Sequence, residues 1–221
     1  MSAADEAAQL GDGARLLGLD PGAETVEKLL AYLDLLYAWN AGAGLTSIDR
    51  EDAVRLHLLD SLACVPAAAA AATAVDLGAG GGLPGIPLAV VFPHLAVTLV
   101  ETRRRKCSFL LEAVRELELR HCTVLEDDAR VLAASGRTYD LVVSRAFMSP
   151  ARFTDLAAPM VADAGRLVVM AGPEQDDDRD IGEAAQPHGL SFGPACRFTL
   201  PGGAETRRIL LGRRTNRGPS G

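Results

Sequence analysis

Val75-Asp76-Leu77-Gly78-Ala79-Gly80-Gly81-Gly82-Leu83-Pro84-Gly85 is the stretch that decides the fold of this 221-residue chain. An apolar run closes on Asp76, glycines alternate at Gly78, Gly80 and Gly82, and a new apolar run begins at Ile86. Glycine, without a Cβ, takes positive φ and lets a ligand lie against bare backbone. A strand that breaks into such a loop and resumes as a helix opens a nucleotide-type site in open α/β sheets.

The spacing narrows the ligand. Counted from Gly78, the dinucleotide pattern G-x-G-x-x-G fails at Leu83; counted from Gly80 it matches Gly80, Gly82 and Gly85 but puts Pro84 inside the loop. The form D-x-G-x-G-x-G, read from Asp76, fits better. It is similar to the first motif of the S-adenosylmethionine (SAM) methyltransferases, whose ligand carries no phosphate. Consistently, no lysine or arginine occurs between Asp76 and Pro93. Glu101, at the end of the next apolar run, can accept both hydroxyls of an adenosine ribose, a role NAD and SAM sites share. The same carboxylate could instead cap the helix that follows.

Working outward, β-rich runs at Thr73–Leu77, Val97–Glu101, Cys122–Glu126, Tyr139–Ser144 and Gly165–Met170 alternate with helical ones. The helical runs are Pro84–Val91, Arg104–Glu118, Ala129–Ala134 and Pro150–Val161. That alternation is the sequence form of a parallel sheet with crossover helices. After Asp176-Asp177-Asp178, a helix near Asp180–Pro187 leads into two closing strands, Ser191–Leu200 and Glu205–Gly212. The expected fold is α/β, a doubly wound, mostly parallel seven-stranded Rossmann-like sheet. Upstream, Glu24–Trp39 carries a helical apolar stripe, and Asp49 starts a second helical run with Val54, Leu58 and Leu62 spaced at four. Residues 1–20 read as loosely ordered, and the six alanines Ala67–Ala72 as a linker or frayed helix end. The expected division is an N-terminal helical extension (1–66), a methyltransferase-like domain (67–212) and a flexible basic tail (213–221).

Composition sets bounds on class. With 48% hydrophobic and 23% charged residues the chain reads as a soluble globular protein. It has no apolar run long enough to span a membrane and no apolar signal core at its start, so a cytoplasmic location is expected. Cys64, Cys107, Cys122 and Cys196 are scattered without a C-x-x-C pair, indicating neither a metal site nor a disulfide framework. They read as small buried hydrophobes. The net charge is −7, but from Arg197 onward six arginines face one acid, leaving that segment at +5 and the remainder at −12. A second basic cluster is Arg103-Arg104-Arg105-Lys106. The net charge argues against a generic nucleic-acid binder, and solvated surface is the plain reading of either cluster alone.

Beyond the glycine loop, several further stretches carry a resemblance: Trp39-Asn40, Leu45-Thr46-Ser47-Ile48, His57-Leu58-Leu59-Asp60-Ser61-Leu62, Asp76 to Pro87, Leu99 to Thr102, Arg105-Lys106 with Phe109-Leu110, and Ser144-Arg145-Ala146. In this order the chain resembles the RsmG (GidB) family, bacterial methyltransferases that act on N7 of a guanine in small-subunit ribosomal RNA. The resemblance implies SAM as cofactor and 16S rRNA or the small ribosomal subunit as partner, with neither membrane nor metal. Carried over by position, the cofactor contacts are Gly78, Leu83, Ala129, Arg130 and Arg145, with Glu101 on the ribose; Asp76, Gly80 and Gly82 of the glycine motif complete the expected cofactor-binding set. Where the family usually has Asn before Leu-Thr, this chain has Gly44. Where it usually has Arg-Ala-Glu, this chain has Asp128-Ala129-Arg130, and where it usually has Lys-Gly, Ala171-Gly172.

Guanine N7 already carries an in-plane lone pair, so the reaction needs no general base, and the chain shows no Ser/His/Asp or Cys/His arrangement. Arg145, expected at the carboxyl end of the fourth strand, is the candidate catalytic residue, binding a phosphate or the target nucleotide as a bidentate donor. Its alternative is an ion pair with a sheet-edge acid. Arg103, Arg104, Arg105, Lys106, Arg207 and Arg208 are the candidate RNA contacts. His57 and Asp60, spaced i, i+3, read as helix packing with a local hydrogen bond, Asp76 as a holder of loop backbone, and Trp39 as core. The alternatives are a SAM enzyme for a small molecule, or a ribosome-associated RNA-binding protein with decayed activity; an NAD oxidoreductase fits least.

Overall fold

The computed structural model describes residues 2–172 and 178–214. In chain order the elements are α1 (Ala3–Leu16), α2 (Ala23–Ala43), a 3₁₀ turn (Arg50–Asp52), a π-helix (Val54–Leu59) continued by α3 (Asp60–Leu62), and α4 (Val65–Ala68). There follow β1 (Thr73–Leu77), α5 (Gly85–Val91), β2 (Ala96–Glu101), α6 (Arg104–Glu116), β3 (Cys122–Glu126), α7 (Ala129–Ala134) and β4 (Tyr139–Arg145). Then come α8 (Pro150–Ala157), β5 (Val161–Ala171), α9 (Asp178–Ala185), β6 (Leu190–Phe192), β7 (Cys196–Thr199) and β8 (Thr206–Arg214).

The sheet runs β3-β2-β1-β4-β5-β8-β6, with β7 also paired to β8. Strands β1 to β5 are parallel and β8 enters antiparallel beside β5. Strand β1 is almost wholly buried because helices cover both faces, which is why its sequence is an apolar run without alternation. The strand order reverses between β1 and β4, and in such sheets the ligand crevice opens there, beyond the strands' carboxyl ends.

Residues 2–16 depart from the expectation of loose order. Ser2 and Asp5 form a reciprocal capping box, and α1 buries Leu10, Gly11, Gly13 and Ala14. Gly13 is required by closeness: a Cβ there would collide with Leu59 of the π-helix. The core cluster around α1 and α2 continues without a break to Ile86, Leu99 and Phe109 against the sheet. Trp39 packs there, its ring 6.1 Å from Phe109.

The second helical run is also revised. Its apolar residues at i, i+4 fall on a π-helix (Val54, Leu58) and the short α3 that continues it (Leu62), preceded by a 3₁₀ turn, and not on one α-helix. The expected strand Ser191–Leu200 divides into β6 and β7 around Gly193-Pro194, giving eight strands in place of seven. Arg213 and Arg214, expected in a mobile tail, belong to β8, where Arg214 donates to the carbonyls of Val161, Ala158 and His188. The rest of that tail, 215–221, lies outside the described residues, as do Asp176 and Asp177. Cys64 and Cys107 are buried, but Cys122 is half-buried and Cys196 exposed. Among the described residues no helix is long and apolar enough to cross a membrane, and no group of His, Cys, Asp or Glu is arranged to hold a metal.

Candidate active site

The glycine loop is fastened from three sides. Gly78, Gly80 and Gly82 all have positive φ, which side-chain-bearing residues rarely adopt. From above, Glu101 at the end of β2 accepts from Gly80 N at 3.0 Å through Oε2, and from Thr102 N and Arg103 N at 2.9 Å each through Oε1. One carboxylate thus ties the loop to the start of α6, so its loop-anchoring and helix-entry roles coexist. From below, Asp76 Oδ2 accepts from Gly85 N at 2.9 Å. Asp76 is fully buried and its Oδ1 has no hydrogen-bond partner. Burial raises its pKa to about 7, against the lowering effect of the Gly85 N–H. From the side, the Tyr32 hydroxyl of α2 donates to Gly81 O at 2.6 Å.

A cavity of about 270 Å³ lies over this loop, lined by Gly78, Gly80, Glu101, Asp127, Ala129 and Phe147 among others. Five of the expected contacts lie elsewhere. Asp76 sits beneath the loop; Leu83 and Gly82 face the core, where a Cβ on Gly82 would collide with Ile86. Arg130 points to solvent in an ion pair with Asp128, 2.6 Å away, and is not part of the cavity lining. Arg145 lines a second cavity. Conversely Arg103 and Lys106, expected as RNA contacts, line the cavity over the loop. Phe147 and Asp127 were not foreseen. The Phe147 ring lies so close over Gly78 that a Cβ there would overlap it. No spacing rule marks Phe147, whereas Asp127, following the third strand as Glu101 closes the second, offered a readable signal.

The second cavity, about 250 Å³, shares Ala146 with the first and is lined by Leu56, Asp60, Arg145, Ala171, Arg207 and Arg208 among others. Arg145 Nη1 donates to Leu56 O at 2.8 Å and to Asp60 Oδ2 at 3.0 Å, and Nη2 donates to His57 Nδ1 at 3.0 Å. A guanidinium has no acceptor, so His57 Nδ1 must accept and Nε2 carries the proton, given to Thr46 Oγ1 at 2.8 Å. Burial first, and the Arg145 charge second, lower the His57 pKa to about 4 and hold it neutral. Asn40 fixes Thr46 in turn: its Oδ1 accepts from Leu45 N and Thr46 N, and its Nδ2 donates to Thr46 O. His57 and Asp60 therefore serve a distant arginine, not local helix packing. The ion-pair alternative for Arg145 is realised, but with Asp60 of helix α3 and not with a sheet-edge acid.

Arg207 Nε also donates to Asp60, at Oδ1, 2.9 Å away. Arg208 is 4% exposed and its Nη1 donates to Asp178 at 2.7 Å, so it is not an outward-facing RNA contact as expected; it belongs to the cavity wall. It pairs in register with Ala171, placing a guanidinium on the strand beside the position where the family usually has lysine. Gly44 caps α2 in the left-handed conformation (φ 60°), a geometry in which asparagine is the usual substitute for glycine. Its departure from the family pattern is thus a backbone matter.

The family model described as rRNA small subunit methyltransferase G, GidB, matches residues 25–186. Among curated relatives, the ribosomal RNA small subunit methyltransferase G of an Azoarcus species is 39% identical over 206 residues, covering 93% of this chain and 95% of that protein. That of Chromohalobacter salexigens is 38% identical over 208 residues, covering 94% and 97%. Among solved structures, the magnesium protoporphyrin IX methyltransferase of Synechocystis with bound SAM has a TM-score of 0.62 at 19% identity, covering 82% of this chain and 90% of that one. That likeness is one of fold.

Proposed function

The chain belongs to the GidB family of rRNA small subunit methyltransferases G, and from that premise we propose that it transfers a methyl group from SAM to N7 of a guanine in 16S ribosomal RNA, acting in the cytoplasm on that RNA or on the small ribosomal subunit. The observation that carries this reading is the junction at Ala146. There a cavity over a bare glycine loop, lined by Glu101 and Asp127 as well as Arg103 and Lys106, meets an arginine-lined cavity at the crevice of the sheet.

The first cavity fits SAM by its own chemistry. The Glu101 carboxylate lines the cavity, and its Oε2, which accepts only from Gly80 N, keeps a lone pair for a ribose hydroxyl, while Oε1 is taken up by Thr102 and Arg103. Asp127 supplies a second acceptor, suited to an exocyclic amino group, and Phe147 an apolar wall. Gly78 and Gly80 offer backbone that a Cβ would obstruct or strain. Bound there, SAM supplies a methyl carbon made electrophilic by its sulfonium.

The protein's residues supply alignment and dryness, because N7 needs no proton removed. His57, with both ring nitrogens committed, is no base for the reaction. Asp76, buried beneath the loop, holds Gly85 and moves no proton to substrate. Arg145 and Arg207 bind the RNA strand beside the extruded or unpaired guanine, and exposed Arg104 and Arg105 add salt-dependent affinity. The helical segment before residue 67 belongs to the substrate side: it supplies Thr46, His57 and Asp60.

The test is transfer of labelled methyl from SAM to small-subunit particles and to free rRNA lacking the modification, with cleavage mapping at N7-methylguanine. Labelling at one guanine is expected. Confirmed SAM binding with no labelled RNA overturns the reading.

A further inference from the structure

Asp60 is 5% exposed, yet its two oxygens each hold an arginine: Arg207 Nε–H on Oδ1 at 2.9 Å and Arg145 Nη1–H on Oδ2 at 3.0 Å. The arginines come from the carboxyl end of β4 and the start of β8, which are not neighbours in the sheet. Burying such a group gains little stability over a packed apolar side chain, because desolvation offsets the attraction. What it fixes is geometry. The Asp60 carboxylate sets the spacing of the two guanidiniums, while Leu56 O and His57 Nδ1 fix the rotation of one of them.

The charges left over define a ligand. Two cations share one carboxylate and His57 is neutral, while Asp178 answers both Arg208 and Arg197. The Arg145–Asp60–Arg207 group by itself carries one net positive charge. Arg145 Nε and Arg207 Nη2 make no hydrogen bond among the described residues, and both side chains keep contact with solvent, at 18% and 25% exposure. Two uncommitted donors on two guanidiniums with one net charge match a phosphodiester, which has one negative charge and two non-bridging oxygens.

We propose that Asp60 is a positioning residue which, with His57, presents Arg145 and Arg207 as one two-guanidinium site for a single phosphodiester of an RNA strand, next to the base that receives the methyl group. This rests on the methyl-transfer reading. Ala146 lines both this cavity and the one over the glycine loop, so the phosphate site borders the proposed cofactor site.

The sign of one substitution separates positioning from plain charge. Asp60→Asn removes a negative charge, so if Asp60 only dilutes the arginines' field, RNA binding tightens. If it positions them, binding weakens. Wild type, D60N, R207A and the double variant are compared by SAM calorimetry and by methylation of small-subunit particles across a salt series. The expected result is unchanged SAM affinity, a KM for particles raised about tenfold in each single variant with kcat nearly kept, and a double variant no worse than the worse single. R207A should also lower the slope of log KM against log salt by about 0.7 to 0.9, the share of one phosphate contact. A lowered KM in D60N, additive losses, or an R207A salt slope equal to wild type overturns the proposal. If D60N fails to fold, seen as lost SAM binding, R207A alone decides. Failure of wild type to label RNA is a different outcome, which overturns the methyl-transfer reading and this proposal with it.

Discussion

The Tyr32 hydroxyl of α2 reaches across 49 positions of sequence to donate a 2.6 Å hydrogen bond to Gly81 O. Helix α2 is thereby bolted to the glycine loop. Both groups are buried, so removing the donor leaves a carbonyl without a partner. Tyr32→Phe should cost about 1–3 kcal/mol of stability and weaken SAM binding several-fold through a looser loop. Urea unfolding and calorimetry read the two effects. Full SAM affinity in a destabilised Y32F would show that the loop is held without α2.

Gly78 combines a positive φ (69°) with the Phe147 ring lying over its Cα. Gly136 has a similar φ (74°) and open space where a Cβ would go. The pair separates strain from collision. Gly136→Ala should lose only the left-handed strain, about 1–2 kcal/mol, with SAM binding intact. Gly78→Ala should lose that and in addition displace Phe147 into the cavity, reducing SAM affinity by more than tenfold. Equal SAM affinities in the two variants would rule out the wall role of Phe147.

Two buried groups give opposite pH responses. Asp76 has a pKa near 7 in the native state, raised from the ordinary carboxyl value by burial. The native state therefore binds the extra proton, and its contribution is fully present below about pH 4 and lost as pH rises through 7. His57 is lowered to about 4, so the unfolded chain binds the extra proton and stability is lost as pH falls from 6.5 toward 4. Asp76→Asn should flatten the fall in stability on the alkaline side, and His57→Asn the fall on the acid side. Urea midpoints between pH 4 and 8 check both; an unaltered slope in either variant contradicts the corresponding assignment.

Much of the fold was legible because the parallel strands are buried on both faces: Leu99 and Val100 need no alternation to be read as a strand. Helix α1 was not legible. Its alanines and glycines give a faint stripe, and Gly13 earns its place only through closeness to Leu59. Val54 and Leu58 of the π-helix and Leu62 of α3 keep the spacing an unbroken α-helix would show, so the pattern did not reveal the π-helix. In the site, the loop glycines and Glu101 announced themselves by local spacing. The partners of Arg145 lie 85 to 89 positions away, and their contacts exist only once β4 meets the π-helix. The basic run at 103–106 looked uniform in sequence because helical phase, not composition, divides it.

That division gives the last prediction. Arg104 and Arg105 are exposed on the first turn of α6, whereas Lys106 turns inward and lines the cavity over the glycine loop, its Nζ 3.8 Å from where a Gly80 Cβ would stand. Neighbouring residues on a helix point about 100° apart, which would let one basic run serve two ligands. Lys106→Ala should weaken SAM binding about tenfold and leave the salt dependence of RNA binding near wild type. The double variant Arg104→Ala/Arg105→Ala should keep SAM affinity and lower the salt slope for RNA by about 1.4 to 1.8, two phosphate contacts' worth. Calorimetry with SAM and particle binding across a salt series separate the outcomes. Equal losses of both kinds in both variants would mean that the run acts as one electrostatic surface, and that its helical phase has no part in sorting cofactor from RNA.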